Sequence, residues 1–250
     1  MSDFRIGLQL YTIRDETSKD FFGACKNVKE IGYDYVEPAG FFGNKPEDVK
    51  QKFDEIGLKI FGSHIGIDSL INEFDRTIND FRIMGCSVLT IAGLPESMRG
   101  GIDRWKESAL TLDEYAKRLK GEGFTLAYHN HDIEMLPIDG VLPFEVLFGE
   151  TTDLFSQIDV YWVAKAELDP IEYILKMEGR IQQIHAKDLA ENGQDIEIGS
   201  GRLDWKGILS ACKKVGALDL IAEMDFPKKE PLESAKDCLK YLQAFTVQVQ

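Results

Sequence analysis

Short apolar runs recur along this chain, and each is preceded by a glycine that closes a helix-like stretch. The glycines are Gly32, Gly57, Gly85, Gly123, Gly179 and Gly216. Glycine is favoured just past a helix end because it enters the left-handed region without a Cβ clash. The runs that follow are 33–37, 58–64, 87–92, 124–130, 181–185 and 218–223. Two more, 5–10 and 154–161, are of the same type. Their length and apolar content predict buried parallel strands.

Helical patterns lie between them. In residues 18–31 the apolar positions Phe21, Phe22, Ala24, Cys25, Val28 and Ile31 share one side. Residues 46–56 open with Pro46 at a first-turn position. Segments 68–84 and 103–120 are long and amphipathic, and 143–148, 170–177, 204–215 and 233–245 complete the set. Asp169-Pro170 and Asp204 read as helix starts, with aspartate accepting from free N–H groups. The result is eight strands alternating with eight helices over 250 residues. That predicts a single (β/α)8 TIM barrel spanning residues 1–250, the usual size being about 250 residues. A doubly wound sheet would show five to seven strands, and no glycine-rich phosphate loop follows the first strand.

A barrel of this kind builds its site at the C-terminal strand ends. Those ends carry Gln9, Glu37, His64, His129-Asn130-His131, Asp159, His185 and Glu223, and only the fourth, at Ala92-Gly93, lacks a polar group. All four histidines of the chain fall at these ends. Taken singly, each carboxylate reads as a helix cap and each histidine as a hydrogen-bonded wall. Converging on one mouth, several buried carboxylates would repel one another unless a cation neutralised them. Two or three Asp/Glu with a His suit Mn, Co, Fe, Zn or Mg.

Composition narrows the partners. Lys and Arg total 29 against 43 Asp and Glu, a formal net charge of −14. Such a surface disfavours nucleic acid and anionic membranes. No apolar run approaches the roughly 18–20 residues that span a bilayer. The opening Met1-Ser2-Asp3-Phe4-Arg5 lacks a basic start followed by an apolar core. Cys25, Cys86, Cys212 and Cys238 form no CxxC pair. The expectation is a cytoplasmic protein with reduced, mostly buried thiols.

Several stretches together resemble the xylose-isomerase-like TIM barrels, the group of sugar phosphate isomerases/epimerases. They are Gly7–Asp15 (GLQLYTIRD), Tyr128–Glu134 (YHNHDIE), Ile158–Val163 (IDVYWV), Ile184–Asp188 (IHAKD), Gly199–Trp205 (GSGRLDW) and Ala222–Asp225 (AEMD). The resemblance runs in family order over nearly the whole chain. It implies one divalent metal ion held by Glu134, Asp159, His185 and Glu223, with His131 or His129 as alternatives to Glu134. It also implies that Glu134 and Glu223 trade protons on opposite faces of a small carbohydrate. Where ketose epimerases usually place a histidine three residues after the strand-six aspartate, this chain has Trp162. The YHNH stretch belongs to a branch that also holds dehydratases and keto-sugar lyases.

The activity so implied is a metal-dependent sugar isomerase or epimerase working on carbon next to a carbonyl of a ketose, keto-sugar or cyclitol. The alternative is a lyase or dehydratase on a keto-sugar, keto-glycoside or inosose. Gln9, Glu37, His64, His129, His131, Trp162 and Lys187 are the substrate-binding candidates, with Tyr11 and Phe41 as stacking surfaces. Arg14 stands without a basic cluster, which favours an unphosphorylated substrate. An endonuclease branch of the superfamily fits poorly with four His and a charge of −14. Phe41-Phe42 is a candidate apolar patch for a homo-oligomer.

Overall fold

A computed structural model describes residues 3–249; Met1, Ser2 and Gln250 lie outside the described residues. The chain forms a parallel barrel. Its strands are β1 (Arg5–Gln9), β2 (Tyr35–Glu37), β3 (Lys59–Ile60), β4 (Ser63–Ile65), β5 (Val88–Ile91), β6 (Thr125–His129), β7 (Phe155–Asp159) and β8 (Ile181–Ala186). The barrel is completed by β11 (Asp219–Ala222), while β9 (Asp188–Leu189) and β10 (Asp195–Ile196) form a separate antiparallel pair. The sheet order is β3-β2-β1-β11-β8-β7-β6-β5-β4. Because β3 and β4 are two pieces of one barrel strand joined by Phe61-Gly62, the ring closes through the chain itself, giving the (β/α)8 architecture.

The junction has a one-residue slip. The Lys59 N–H donates to the Asp34 carbonyl and the Phe61 N–H to the Val36 carbonyl, but the next donor to Pro38 is His64. The extra residue is a bulge, and beyond it His64 meets Glu37 and Gln157 inside the barrel. Gly62 lets the chain pass close to the web: a Cβ would stand a tight 3.1 Å from Gln183 Oε1 and 3.2 Å from Glu37 Oε1, so a larger residue would push these side chains aside.

The helices are α1 (Arg14–Lys19), α2 (Phe21–Ile31), α3 (Pro46–Ile56), α4 (Ile67–Met84), α5 (Ile102–Gly121), α6 (Asp132–Met135), α7 (Pro143–Gly149), α8 (Val160–Lys165), α9 (Pro170–Lys176), α10 (Trp205–Val215) and α11 (Pro231–Gln248). Neighbours pack on one another around the ring: α3 on α4, α5 on α7, α9 on α10. Each of the eight helical patterns in the sequence corresponds to one of these. The six helix-closing glycines all have positive φ, from 72° at Gly57 to 120° at Gly32. Asp20, Asp169 and Asp204 cap α2, α9 and α10 with side-chain oxygens.

One element departs from the pattern. The apolar run 154–161 is not a strand throughout, because Asp159 ends β7 and caps α8 at once. A strand-end aspartate followed by free N–H groups starts a helix whatever the hydrophobicity beyond it. The four thiols are buried and unpaired. No helix among the described residues is long and apolar enough to cross a membrane.

Candidate active site at the barrel mouth

The C-terminal strand ends bring a polar web into the barrel. Glu37, at the end of β2, is fully buried. Its Oε2 accepts from Gln9 Nε2 at 2.8 Å and lies 2.6 Å from His185 Nε2 and 3.1 Å from His64 Nε2. Its Oε1 accepts from Gln157 Nε2 at 2.7 Å. Burial alone would raise the Glu37 pKa, but His64 and His185 outweigh it and hold the carboxyl below its usual range. Gln9 and Glu37 therefore lie beneath the mouth, their hydrogen-bonding capacity spent on neighbours.

Gln157 and Gln183 occupy interior positions of β7 and β8, where an apolar side chain would be the default. Gln157 Nε2 also donates to Gln183 Oε1 at 3.0 Å, and Gln183 Nε2 donates to the Phe61 carbonyl at 3.0 Å. That fixes Gln157 Oε1 as an acceptor facing His64 Nε2 at 2.8 Å and His129 Nδ1 at 3.1 Å. The proton of His129 thereby belongs on Nδ1, leaving Nε2 with a free lone pair 3.9 Å from Asp159 Oδ2. Burial and then the neighbouring His185 push the His129 pKa down, keeping it neutral.

His185 is held differently. Its Nε2 faces Glu37, its Nδ1 faces Glu223 Oε2 at 2.9 Å, and neither Glu37 nor His185 is exposed. Burial opposes the charged ring, yet the two carboxylates prevail and raise its pKa to about 10. Lys187 is also buried. Its ammonium lies 3.2 Å from Asp159 Oδ2, 2.9 Å from Glu223 Oε2 and 2.8 Å from Asp225 Oδ2. These three carboxylates outweigh burial and hold its pKa well above the usual value. Burial raises Asp159 to about 6, with Lys187 opposing.

Asp159 divides its two oxygens. Oδ1 accepts from the Tyr161 and Trp162 N–H groups at 2.9 and 3.2 Å. Oδ2 is buried and accepts no hydrogen bond, although Lys187 stands near it. The Asn130 side chain grips the Asp159 backbone, accepting from its N–H at 3.0 Å and donating to its carbonyl at 3.3 Å. Ligand atoms from His129, Asp159, His185 and Glu223 all lie within 4.8 Å of one another, and so do those of His64, His129 and His185. An unsatisfied carboxylate oxygen, a free imidazole lone pair and a mixed N/O donor set fit a borderline divalent cation.

Glu134 stands outside these groups. Its Oε1 accepts from the Tyr128 hydroxyl and its Oε2 from the His131 N–H, each at 2.8 Å. It closes a capping box at the start of α6, with burial raising its pKa. Of the residues expected to gather, the structure brings together Asp159, His185 and Glu223 with His129, one of the two alternatives to Glu134, and ties Glu134 to the wall.

A chamber of about 300 Å³ opens above this cluster, lined among others by Tyr11, His64, His129, His131, Trp162 and Glu223. Trp162 Nε1 is buried without a hydrogen-bond partner. Phe226, 70% exposed, and Asp225 also line the chamber. The sequence reading did not single out these two, nor Gln157 and Gln183. A glutamine in a buried strand interior was the available signal for the latter pair.

The chain matches, over residues 25–245, the family described as xylose isomerase-like TIM barrel. It belongs to that family. An inosose dehydratase of Lacticaseibacillus casei is 22% identical, the alignment covering 90% of this chain and 89% of that protein. A solved sugar phosphate isomerase/epimerase from Parabacteroides distasonis superposes with a TM-score of 0.83 at 25% identity, covering 96% of this chain and 98% of its own. A solved L-ribulose 3-epimerase shares the fold at a TM-score of 0.76 and 17% identity, covering 98% of this chain and 95% of its own.

Proposed function

We propose that this protein is a divalent-metal-dependent enzyme that moves a proton at carbon adjacent to a carbonyl of a ketose, keto-sugar or cyclitol, as a sugar isomerase or epimerase. The observation that carries the reading is the buried His129–Asp159–His185–Glu223 cluster at the strand ends beneath a sugar-sized chamber. These four residues would hold the ion, Mn, Co, Fe, Zn or Mg being compatible with the donors. Bound there, the ion supplies Lewis-acid polarisation of the carbonyl oxygen.

The chain's own groups do the rest. Glu37 orients His185 through Nε2, so that Nδ1, on giving up the proton it shares with Glu223, would be the ligating side, the carboxylate–histidine pairing usual behind metal-bound imidazoles. Lys187 keeps Asp159, Glu223 and Asp225 together by neutralising part of their charge. Glu223 lines the chamber and is the base for the proton on carbon. His64, His131 and the unpartnered Trp162 Nε1–H are placed to meet sugar oxygens. Tyr11 and Phe226 offer apolar faces at the rim.

The second reading, elimination by a lyase or dehydratase, rests on Glu134. Epimerisation calls for acid and base groups on two faces, but Glu134 is engaged by Tyr128 and His131 and only Glu223 of the pair lines the chamber. One base with a departing oxygen fits that arrangement. The test is protein stripped by chelator, reloaded with Mn²⁺ or Co²⁺ and incubated with ketoses, keto-sugars and inososes in D₂O. Metal-dependent deuterium entry beside the carbonyl supports the shared step. Inversion or carbonyl migration then marks an epimerase or isomerase, and an unsaturated product a lyase. No metal-dependent exchange with any of these substrates would refute the reading.

A further inference from the structure

Two glutamines lie fully buried beneath the cluster, Gln157 on β7 and Gln183 on β8. A buried amide costs free energy unless its polar atoms find partners. An amide has two N–H donors and an oxygen with two lone pairs, and Gln157 uses all four. Its Nε2 donates to Glu37 Oε1 and to Gln183 Oε1. Its Oε1 faces both His64 Nε2 and His129 Nδ1.

The direction of these bonds starts from a backbone atom. Gln183 Nε2 donates to the carbonyl of Phe61, which lies in the break between β3 and β4 and belongs to neither. A carbonyl can only accept, so it decides which end of Gln183 points toward it. Gln183 Oε1 is then left to accept from Gln157. Turning the Gln157 amide over would set its oxygen against Glu37 Oε1 and Gln183 Oε1, at separations of 2.7 and 3.0 Å with no hydrogen between. Two acceptors on separate strands thus hold the Gln157 oxygen toward the imidazoles.

The consequence falls on His129. A neutral imidazole free in water carries its proton mainly on Nε2, and in that form the His129 nitrogen facing Asp159 could not ligate. The hydrogen bond at one ring nitrogen decides what the other can do. Facing Gln157, the ring carries its proton on Nδ1 and keeps the Nε2 lone pair on the Asp159 side. Glu134 cannot stand in, because Tyr128 and the His131 N–H engage its two oxygens. We infer that Gln157 is the positioning residue that makes His129 the fourth donor of the cluster, with Gln183 as its brace. This inference rests on the metal-site reading and adds the group that selects which His129 nitrogen meets the ion.

The experiment records nitrogen NMR spectra of the imidazoles in isotope-labelled, metal-free protein, where protonated and bare ring nitrogens give separate signals. His129→Asn marks the signals of His129. The expected wild-type result is a proton on Nδ1. Gln157→Leu, similar in volume but without an acceptor, should shift the proton toward Nε2 and weaken Zn²⁺ binding by about 10–100-fold, read by competition with a chromogenic chelator. Gln157→Glu should restore both, since a carboxyl oxygen still faces Nδ1. Gln183→Leu, which leaves Glu37 alone to hold Gln157, should fall between wild type and Gln157→Leu. A wild-type proton on Nε2 would overturn the inference whether or not the variants fold. So would Gln157→Leu with the tautomer and Zn²⁺ affinity unchanged, or Gln157→Glu as impaired as Gln157→Leu, the mark of a merely structural role. A wild-type Nδ1 proton without affinity for Zn²⁺, Mn²⁺ or Co²⁺ would instead overturn the metal-site reading and the donor role with it, while the response to Gln157→Leu still decides what places the proton.

Discussion

The imidazole of His185 and the carboxylate of Glu37 meet at 2.6 Å, both fully buried, across nearly 150 residues of sequence. The contact assigns the Nε2 proton and turns Nδ1 toward Glu223 and the rest of the cluster. Glu37→Gln keeps the shape and removes the charge. The expected outcome is metal affinity lower by about 10–100-fold, read by competition with a chromogenic chelator. Affinity equal to wild type would dismiss Glu37 as an orienting group.

Metal should also stabilise the fold. At a free ion concentration of about 100 times Kd, linkage contributes about 2.7 kcal/mol. For a chain of this length that corresponds to a Tm rise of about 5–10 °C. Chelator should reverse it, and the Glu223→Gln and His185→Ala variants should show little of it. A scan indifferent to Mn²⁺, Co²⁺ and Zn²⁺ would count against a metal centre.

Glu223→Gln should slow deuterium entry beside the carbonyl by about 10²–10⁴-fold, the range for loss of a general base. NMR in D₂O at saturating metal checks it. If Glu134→Gln is as damaging as Glu223→Gln while binding metal normally, the two-base isomerase or epimerase is favoured over elimination.

Away from the mouth, Asp113 on α5 accepts from the Thr152 and Asp153 N–H groups at 2.8 Å each and pairs with Lys117 at 2.7 Å. Burial opposes its charge, but these donors hold its pKa below the usual value. The folded pKa lies below the unfolded one of about 3.9, so its stabilisation is present above that pH and is lost as pH falls through the folded value. Asp113→Asn should cost about 1.5–3 kcal/mol at neutral pH. The Tm gap between variant and wild type should narrow as pH falls from 6 toward 3, and a gap constant with pH would contradict this account.

Gly201 is the sharpest steric test. Its Cβ would fall 2.3 Å from Asp188 Oδ1 and 2.6 Å from the Leu189 carbonyl. Asp188 anchors this loop, accepting from the Gly199, Gly201 and Leu203 N–H groups and from Trp205 Nε1. Gly201→Ala should destabilise by about 1–3 kcal/mol in chemical denaturation, and a neutral result would mean the loop yields more easily than its hydrogen bonds indicate.

Much of this architecture was readable beforehand because it rests on local rules. Glycine after a helix, aspartate or proline before one, and apolar runs between them act within a few residues, and they placed all eight strand–helix pairs. The strand-end rule likewise found Asp159, His185, Glu223 and the histidines. What it could not supply was side-chain direction. Glu134 sits three residues after His131, a spacing that serves a capping box as well as a ligand, and the N–H of His131 and hydroxyl of Tyr128 decide between them. Lys187, one of the substrate-binding candidates, lies between the end of β8 and the start of β9, where the sequence carries no sign of its ion-pair partners. Its partners are Asp159, Glu223 and Asp225, while Asp188 serves the loop. The departure of α4 from helical geometry at Glu73 left no signature, since its apolar spacing continues through that residue.

The break in the third barrel strand has a mechanical consequence. Apart from a register shift between β7 and β8 at Ser156/Gln157, the pairs of neighbours in the ring are joined by uninterrupted runs of paired residues, whereas Phe61-Gly62 leaves a gap where β3 ends and β4 has yet to begin. His64, just past that gap, lines the chamber over the cluster. That wall of the chamber is therefore anchored at the weakest stave of the cask, where a small parting costs few hydrogen bonds. Amide exchange there should outpace that of β6.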